Sequence, residues 1–504
     1  MNWLRMEVIS AVTSWLMSLA CQSVPIARNW LGGFTPCQID DLTELWKKLS
    51  PSAKIYYPGS EDFEEATARW SVLDAPKVNV VVVPGTENDV AETVKYANQK
   101  ELPFLAFNGA HAAITTLGKM DHGIEIYLNQ LSSVEIAKDG KTATFGGGIM
   151  SKNVTDALWA AGKQTVTGTC ECVSLLGPAL GGGHGWLQGH YGLIADQFVS
   201  MVVLADGSLQ TIDATSDLFW AMKGAGANFG IVTSLISKIY NIQYSNWAID
   251  TLIFSGKKVE AVYQAANDCL LKNGTQSANV INWSYWLNIP AIDPNNPVIL
   301  FYIIQEGVDV VDPAYTEPFH DIGPLSETAT GGSYIDLATW TGIALDAPPC
   351  QKDGLVNPRF PIYLQTYNVP AQKRAYNQFA SAVSGASVFN NSIFMFEGYS
   401  MEGVHAIAGD SAAFAYRSEN LLAAPLITYA PAGSDLDQQA AQLGDQLRQV
   451  LHDASGRTDL RAYVNYAHGD ETLEQWYGSE AWRQSRLRAL KKKYDPEGKP
   501  PSNP

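Results

Sequence analysis

Basic residues are scarce in this chain of 504: 34 Lys and Arg stand against 51 Asp and Glu, a net charge of −17. A nucleic-acid backbone needs a basic surface to replace its counterions, so nucleic acid is excluded as the main partner. The balance suits a protein acting on a neutral or cationic small molecule. Apolar runs long enough to cross a bilayer are also lacking. The N-terminal run Val8–Ala20, bordered by Arg5 and Glu7, is too short to span and has the small-residue ending of a signal peptide. Cleavage near residue 20 and entry into the secretory pathway are therefore expected; the alternative is an amphipathic N-terminal helix on a cytoplasmic protein. Cysteine is sparse, with six in all (21, 37, 170, 172, 269, 350), too few for a dense disulfide framework. No second Cys pair or His pair stands at zinc spacing, so no metal site is expected. Walker A and HExxH sequences are missing too.

What the chain has in quantity is apolar and aromatic: 46% hydrophobic residues, with 14 Trp and 22 Tyr, enough for two or three packed domains and a pocket for a flat ring. Residues 21–77 read as an irregular lead-in with one helix around Asp40–Leu49. Order sharpens at VNVVVV (78–83), a β-branched run typical of a buried strand. Thr86 to Asp89 form a capping-box pattern ahead of a helix, and LPFLAF (102–107) is the next strand. That strand runs into Asn108-Gly109-Ala110-His111, where a His is placed either to meet a ligand or to serve the structure. IEIYL, TATFGGG and QTVT are further strands, Ser151–Ala161 is a helix, and Asp206-Gly207 turns a hairpin. Four N-x-[ST] sequons (Asn153, Asn273, Asn282, Asn390) permit glycosylation.

Glycine crowds the centre of this half. Gly181, Gly182, Gly183 and Gly185 fall within five positions after Cys170 and Cys172, and Gly224, Gly226 and Gly230 make a second cluster. Such crowding means either close packing of two elements or a backbone N–H nest for an anion. Neither cluster is a nicotinamide fingerprint: Trp186 and Phe229 stand where G-x-G-x-x-G needs its third glycine. Beyond residue 244 come long strand-like runs (WAIDTLIF, VILFYIIQ, SIFMFEGY) without glycine clusters, and an amphipathic helix over Asp435–Leu451. The final helix, with Arg483, Arg486, Arg488 and Lys491–Lys493, reads as a solvated face.

Taken together, the motifs resemble the berberine-bridge-enzyme-like FAD oxidases of the vanillyl-alcohol-oxidase superfamily. FNGAH resembles the family's R-S-G-G-H turn, GTCECVSLLGPALGGGHG its G-x-C-x-x-V-G…L-G-G-G-x-G loop, and LFWAMKGAGANFGIVTS its L-F-W-A-L-R-G-A-G-G-N-F-G-I-V-T-S segment. YVNY (463–466) with KKKYDP is similar to the C-terminal berberine-bridge segment. The resemblance implies an α+β, two-domain flavoprotein. Its FAD-binding domain would span 45–244, completed by 455–504, and its substrate domain, 245–454, would be an antiparallel sheet flanked by helices. It implies FAD bound covalently through His111, with Phe107, Asn108, Gly109, Ala110, the glycine tract, Gly230, Ile231 and Val232 around it. Cys170 is the candidate for a second link to flavin C6, ahead of Cys172. Ser174, where the family has Gly, and FNGA in place of RSGG leave one link or two open. No cysteine lies between 37 and 170, so the early local disulfide of secreted relatives looks absent. Tyr466 maps onto the family's catalytic base, or is a core Tyr near the flavin; Asn465 would be a flavin or loop contact. A phenol of ordinary pKa near 10 needs a cation or hydrogen bonds to act as base. The expected reaction is hydride removal from a small molecule with O2 as acceptor, giving H2O2. The substrate would be a secondary-metabolite intermediate or a saccharide, with Trp283, Tyr285 and Trp286 available to line either pocket. A redox-inactive binding protein of the same fold is the remaining alternative.

Overall fold

The structure, a computed structural model, describes residues 42–204 and 207–496. The signal-like segment, Cys21, Cys37 and Asp206 of the hairpin lie outside the described residues. Valine-rich β2 (Val78–Val83) is the centre of the first sheet, ordered β1-β2-β4-β3 with β1 (Lys54–Tyr56), β3 (Phe104–Phe107) and β4 (Gly123–Tyr127). The helix Glu87–Gln99 connects β2 to β3, and the capping box at Thr86 and Asp89 is formed. Both β2 and β3 run parallel to β4, so Phe107 ends at the carboxyl edge of the sheet, where the following turn is free to meet a ligand.

The lead-in is more ordered than its sequence suggests. Besides the helix Leu42–Trp46 it holds β1 and a helix Glu61–Thr67 capped by Ser60. A three-residue strand has no periodicity of its own; β1 exists through its pairing with Val81–Val83. A second, antiparallel sheet follows: β5 (Val134–Ile136), β6 (Thr142–Gly146), β8 (Phe198–Leu204), β9 (Leu209–Asp213) and β10 (Ile231–Lys238), in the order β5-β6-β10-β8-β9. QTVT contributes only its first residue to a strand: β7 (Lys163–Gln164) pairs with β11 (Tyr240–Asn241).

The third sheet is antiparallel and seven-stranded. Its strands are β12 (Asn246–Ser255), β13 (Val280–Leu287), β14 (Val298–Glu306), β15 (Ser326–Ser333), β16 (Ile362–Leu364), β17 (Ile393–Gly398) and β18 (Leu421–Leu426). They are ordered β15-β12-β14-β13-β17-β18-β16. Alternation along the strands gives this sheet two chemistries. On β13, Val280 and Trp286 join a core with the helices Val259–Ala265, Val369–Val383 and Ser434–Ala454, while Ile281, Trp283 and Tyr285 face the N-terminal half. Trp286 therefore cannot line a pocket with its two neighbours: its indole donates to Tyr263 on the helix side. Asn282 is fully buried on β13, so its sequon is closed in the fold, whereas Asn153, Asn273 and Asn390 are exposed.

The C-terminal helix Ala481–Tyr494 packs on the helix Asp217–Met222. Its basic run is more than a solvated face. Arg483 is 2% exposed and donates to the carbonyls of Gly409, Ala412 and Ala413, and Lys491 Nζ donates to the Asn228 carbonyl at 2.7 Å. Among the described residues no helix is long and apolar enough to cross a membrane.

Candidate active site

The turn at the end of β3 is held from all sides. The Phe107 ring stacks on Tyr127 (4.8 Å), the Asn108 side-chain amide donates to the Gly148 carbonyl, and the Ala110 carbonyl accepts from Trp70 N–H. A Cβ on Gly109 would meet the Cys172 carbonyl at 2.8 Å, which is the reason for glycine there. Ala110 adopts φ 52°, a left-handed conformation uncommon outside glycine. The N–H groups of Gly109, Ala110 and His111 find no backbone partner among the described residues. Successive N–H groups around a left-handed residue make an anion-binding concavity.

His111 completes the turn. Its ring stacks on Trp70 (4.5 Å between centroids), and Nε2 lies 2.7 Å from the Pro349 carbonyl. A carbonyl can only accept, so Nε2 carries the proton and Nδ1 keeps its lone pair. Burial, reinforced by the Arg359 cation, pushes the imidazole pKa down to about 4, so the ring is neutral at physiological pH. A neutral ring with one oriented lone pair is a nucleophile.

Three sulfurs adjoin it. Cys172 is bonded to Cys350, and the free Cys170 Sγ lies 3.4 Å from Cys172 Sγ and 3.6 Å from Cys350 Sγ. Cys172 is thus not available for a flavin bond. Burial pushes the Cys170 thiol up to about 11, so it is protonated at neutral pH and a weak nucleophile there. His111, Cys170 and Cys172 place donor atoms within 4.8 Å of one another. With one of these sulfurs in a disulfide the group is not a thiolate ligand set.

The glycine tract differs from the nest expected of it. Four of the five N–H groups of 181–185 are engaged: Gly181 and Gly182 donate to Pro178 and Ala179, His184 to the Tyr463 hydroxyl, and Gly185 to Gln188. Each missing side chain makes room for protein. A Cβ would strike Asn465 at Gly181, Phe414 at Gly182, Ile194 at Gly183 and the Thr167 carbonyl at Gly185. The packing is the first of the two readings that such crowding allows, and the successive N–H groups without a backbone partner among the described residues are those of 109–111. The tract delivers two side chains. His184, buried and held neutral with a pKa of about 4 by desolvation, bridges Gln188 and Tyr363; Trp186 packs 4.3 Å from Trp283. Asn465 is a loop contact, donating to the Pro178 carbonyl and to Tyr463. Gly230 packs against the Leu204 carbonyl, while Ile231 and Val232 are buried in β10 and point into protein cores.

Tyr466 sits between the two halves. Its hydroxyl donates to Glu397 Oε1 at 2.9 Å, across 69 residues of sequence. Glu397 lies on the inward face of β17, opposite Trp283 in the ladder. Burial pushes its carboxyl up to about 7, against hydrogen bonds from Tyr466 and Tyr399 and the Arg359 charge. Burial, then the Glu397 charge, holds the Tyr466 phenol well above its ordinary value. The Arg359 guanidinium lies 4.4 Å over the Tyr466 ring and 4.4 Å over Trp70. Trp186, Trp283, Tyr285, Tyr302 and Tyr399 form the buried roof beside them. Glu397, Arg359 and Tyr399 were not singled out from sequence. Only Glu397 left a signal there: an acid in the inward register of SIFMFEGY.

Comparison with known proteins agrees with this geometry. Residues 78–213 match the family model described as FAD binding domain, and residues 462–498 the one described as Berberine and berberine like. The FAD-linked oxidoreductase chyH of Penicillium rubens is 61% identical over 98% of both chains. The chain belongs to the berberine-bridge-like FAD-linked oxidoreductases. Among solved structures, Physcomitrella patens BBE-like 1 has the same two-domain α+β fold (TM-score 0.77, 20% identity, 91% of this chain and 97% of that one). So does a glucooligosaccharide oxidase from Acremonium strictum, described as carrying 6-S-cysteinyl, 8 alpha-N1-histidyl FAD (TM-score 0.76, 18% identity, 91% and 97%). This berberine-bridge-like protein is an oxidoreductase with FAD as its cofactor. The free N–H groups at 109–111 suit a pyrophosphate, and His111 Nδ1 suits an electrophilic ring substituent, so the residues present fit the group.

Proposed function

We propose that this oxidoreductase carries FAD covalently on His111 and oxidises a small secondary-metabolite intermediate, with O2 as final acceptor and H2O2 as product. When bound, FAD supplies a two-electron acceptor for hydride. The chain's own residues manage the accompanying proton. As the substrate loses hydride from carbon, its neighbouring O–H or N–H gives a proton to the Tyr466 oxygen, and Tyr466 passes its own proton to Glu397 Oε1. The C–H and X–H bonds become C=X, with one hydride and one proton removed. The single observation that carries this reading is the 2.9 Å Tyr466–Glu397 bond, an ionisable pair set in an apolar roof.

A closed aromatic roof suits a hydrophobic metabolite better than a saccharide, which needs an open polar groove. A structurally similar protein, GilR, is described as an oxidoreductase of gilvocarcin biosynthesis, and that favours the same choice at the level of analogy. The Cys172–Cys350 disulfide supports an oxidising compartment, and so supports reading residues 1–20 as a signal peptide.

A visible spectrum before and after acid precipitation tests the proposal. Yellow flavin should stay in the pellet of the native protein and be lost to the supernatant in His111→Ala. Cys170→Ala should leave the attachment intact if His111 is the sole link, and shift the spectrum if there are two. Flavin that washes out of the native protein in acid would sink the covalent assignment.

A further inference from the structure

Six other arginines that are buried or half-buried each have an anionic partner. Arg69 meets Glu125, Arg417 meets Asp196, Arg448 meets Glu471, Arg457 and Arg461 share Glu419, and Arg483 meets Glu480. Arg359 is the exception. No acceptor among the described residues reaches its buried Nε, and no carboxylate among them closes an ion pair with it. Glu397, a carboxyl whose ionisation its charge favours, is committed to Tyr466 and Tyr399. The guanidinium carbon lies 4.4 Å from the centre of each of the Trp70 and Tyr466 rings, neither of which supplies an acceptor oxygen or nitrogen to its Nε. An uncompensated cation in such a place is costly unless something pairs with it. A planar fork of N–H donors matches the two oxygens of a carboxylate.

We infer that Arg359 is the anchor for a carboxylate on the substrate, holding an aromatic acid by its anionic end beside Tyr466. This rests on the oxidase reading above and narrows it: the substrate is an acid, although the whole molecule is acidic. The net charge of −17 repels anions at long range, so recognition comes from contact inside the roof, where a single unpaired cation outweighs a screened surface field.

The test uses the flavin-loaded protein with benzoate as probe and benzamide as its neutral isostere. Benzoate should perturb the flavin spectrum saturably and raise the melting temperature, and benzamide should bind about tenfold or more weakly. Arg359→Met should abolish the preference for benzoate, and Arg359→Lys should keep part of it as a point charge. Equal binding of benzoate and benzamide, or unchanged benzoate affinity in a folded Arg359→Met or Arg359→Lys protein, overturns the anchor. The same overturning result follows if Arg359→Met changes the flavin spectrum without ligand and benzoate has no effect, because the guanidinium then serves the flavin. The melting shift needs no flavin. A colourless protein stabilised by benzoate through Arg359 would sink the oxidase reading and leave the anchor standing, whereas a yellow protein blind to benzoate would do the reverse.

Discussion

At the scale of single residues, the proposed proton path sets the expected pH behaviour. Tyr466 can pass its proton on only to an ionised Glu397, whose carboxyl is pushed up to about 7. Flavin reduction in single-turnover experiments should therefore rise through neutrality with one ionisation and fall away in acid. Glu397→Gln should flatten that limb, and Tyr466→Phe should slow reduction by roughly 10²-fold or more. Stability runs the other way. A carboxyl whose folded pKa is raised stabilises the fold fully below its unfolded pKa and loses that contribution as pH rises through the folded value. Glu397→Gln should thus gain melting temperature over the native protein at about pH 8 and gain nothing at about pH 4. A difference between variant and native protein that is the same at both pH values would show that Glu397 is not buried as described. On the proposed path, Glu397 as proton acceptor and the Arg359 cation over the Tyr466 ring would supply what the YVNY motif leaves open: a reason for a phenol to act as a base.

At the scale of elements, the seven-stranded sheet separates two kinds of tryptophan. Trp286 packs among Tyr263, Tyr376 and Phe394 on the helix side. Its replacement by Ala should cost about 3–5 kcal/mol in denaturant unfolding. Trp283 faces Trp186 and Tyr399. Trp283→Phe should leave the chain folded and change KM for substrate more than stability. The long valine run of β2, the capping box, the helix on Asp435–Leu451 and the turn ending in His111 were legible because each is a local pattern. Strand β15 was not: SETATGGS is exposed along almost its whole length and is a strand only through backbone pairing to β12. The glycine tract was legible as a place but not in its use, because its N–H partners arrive from residues such as Tyr463, 279 positions away. Arg359 left no signal at all, since an unpaired cation is visible only once its surroundings are known.

At the scale of the whole molecule, one covalent bond ties the flavin loop to the segment running into the roof. Cys172 and Cys350 are 178 positions apart, and the Cys350 side also supplies the carbonyl that orients His111. Cys172→Ser or Cys350→Ser should lower stability by about 2–5 kcal/mol and lower the fraction of protein with acid-stable flavin, as His111 loses its acceptor. Unchanged flavin retention would separate the disulfide from the attachment. The same bond bears on survival under proteolysis. The exposed strand β15 lies between the two cysteines, as do β12, β13 and β14. A protease that cuts in β15 therefore severs the chain without releasing a fragment. The product would run as one band before reduction and two after it, and would remain yellow: an enzyme that tolerates a broken backbone because its sulfurs close the circuit around the break.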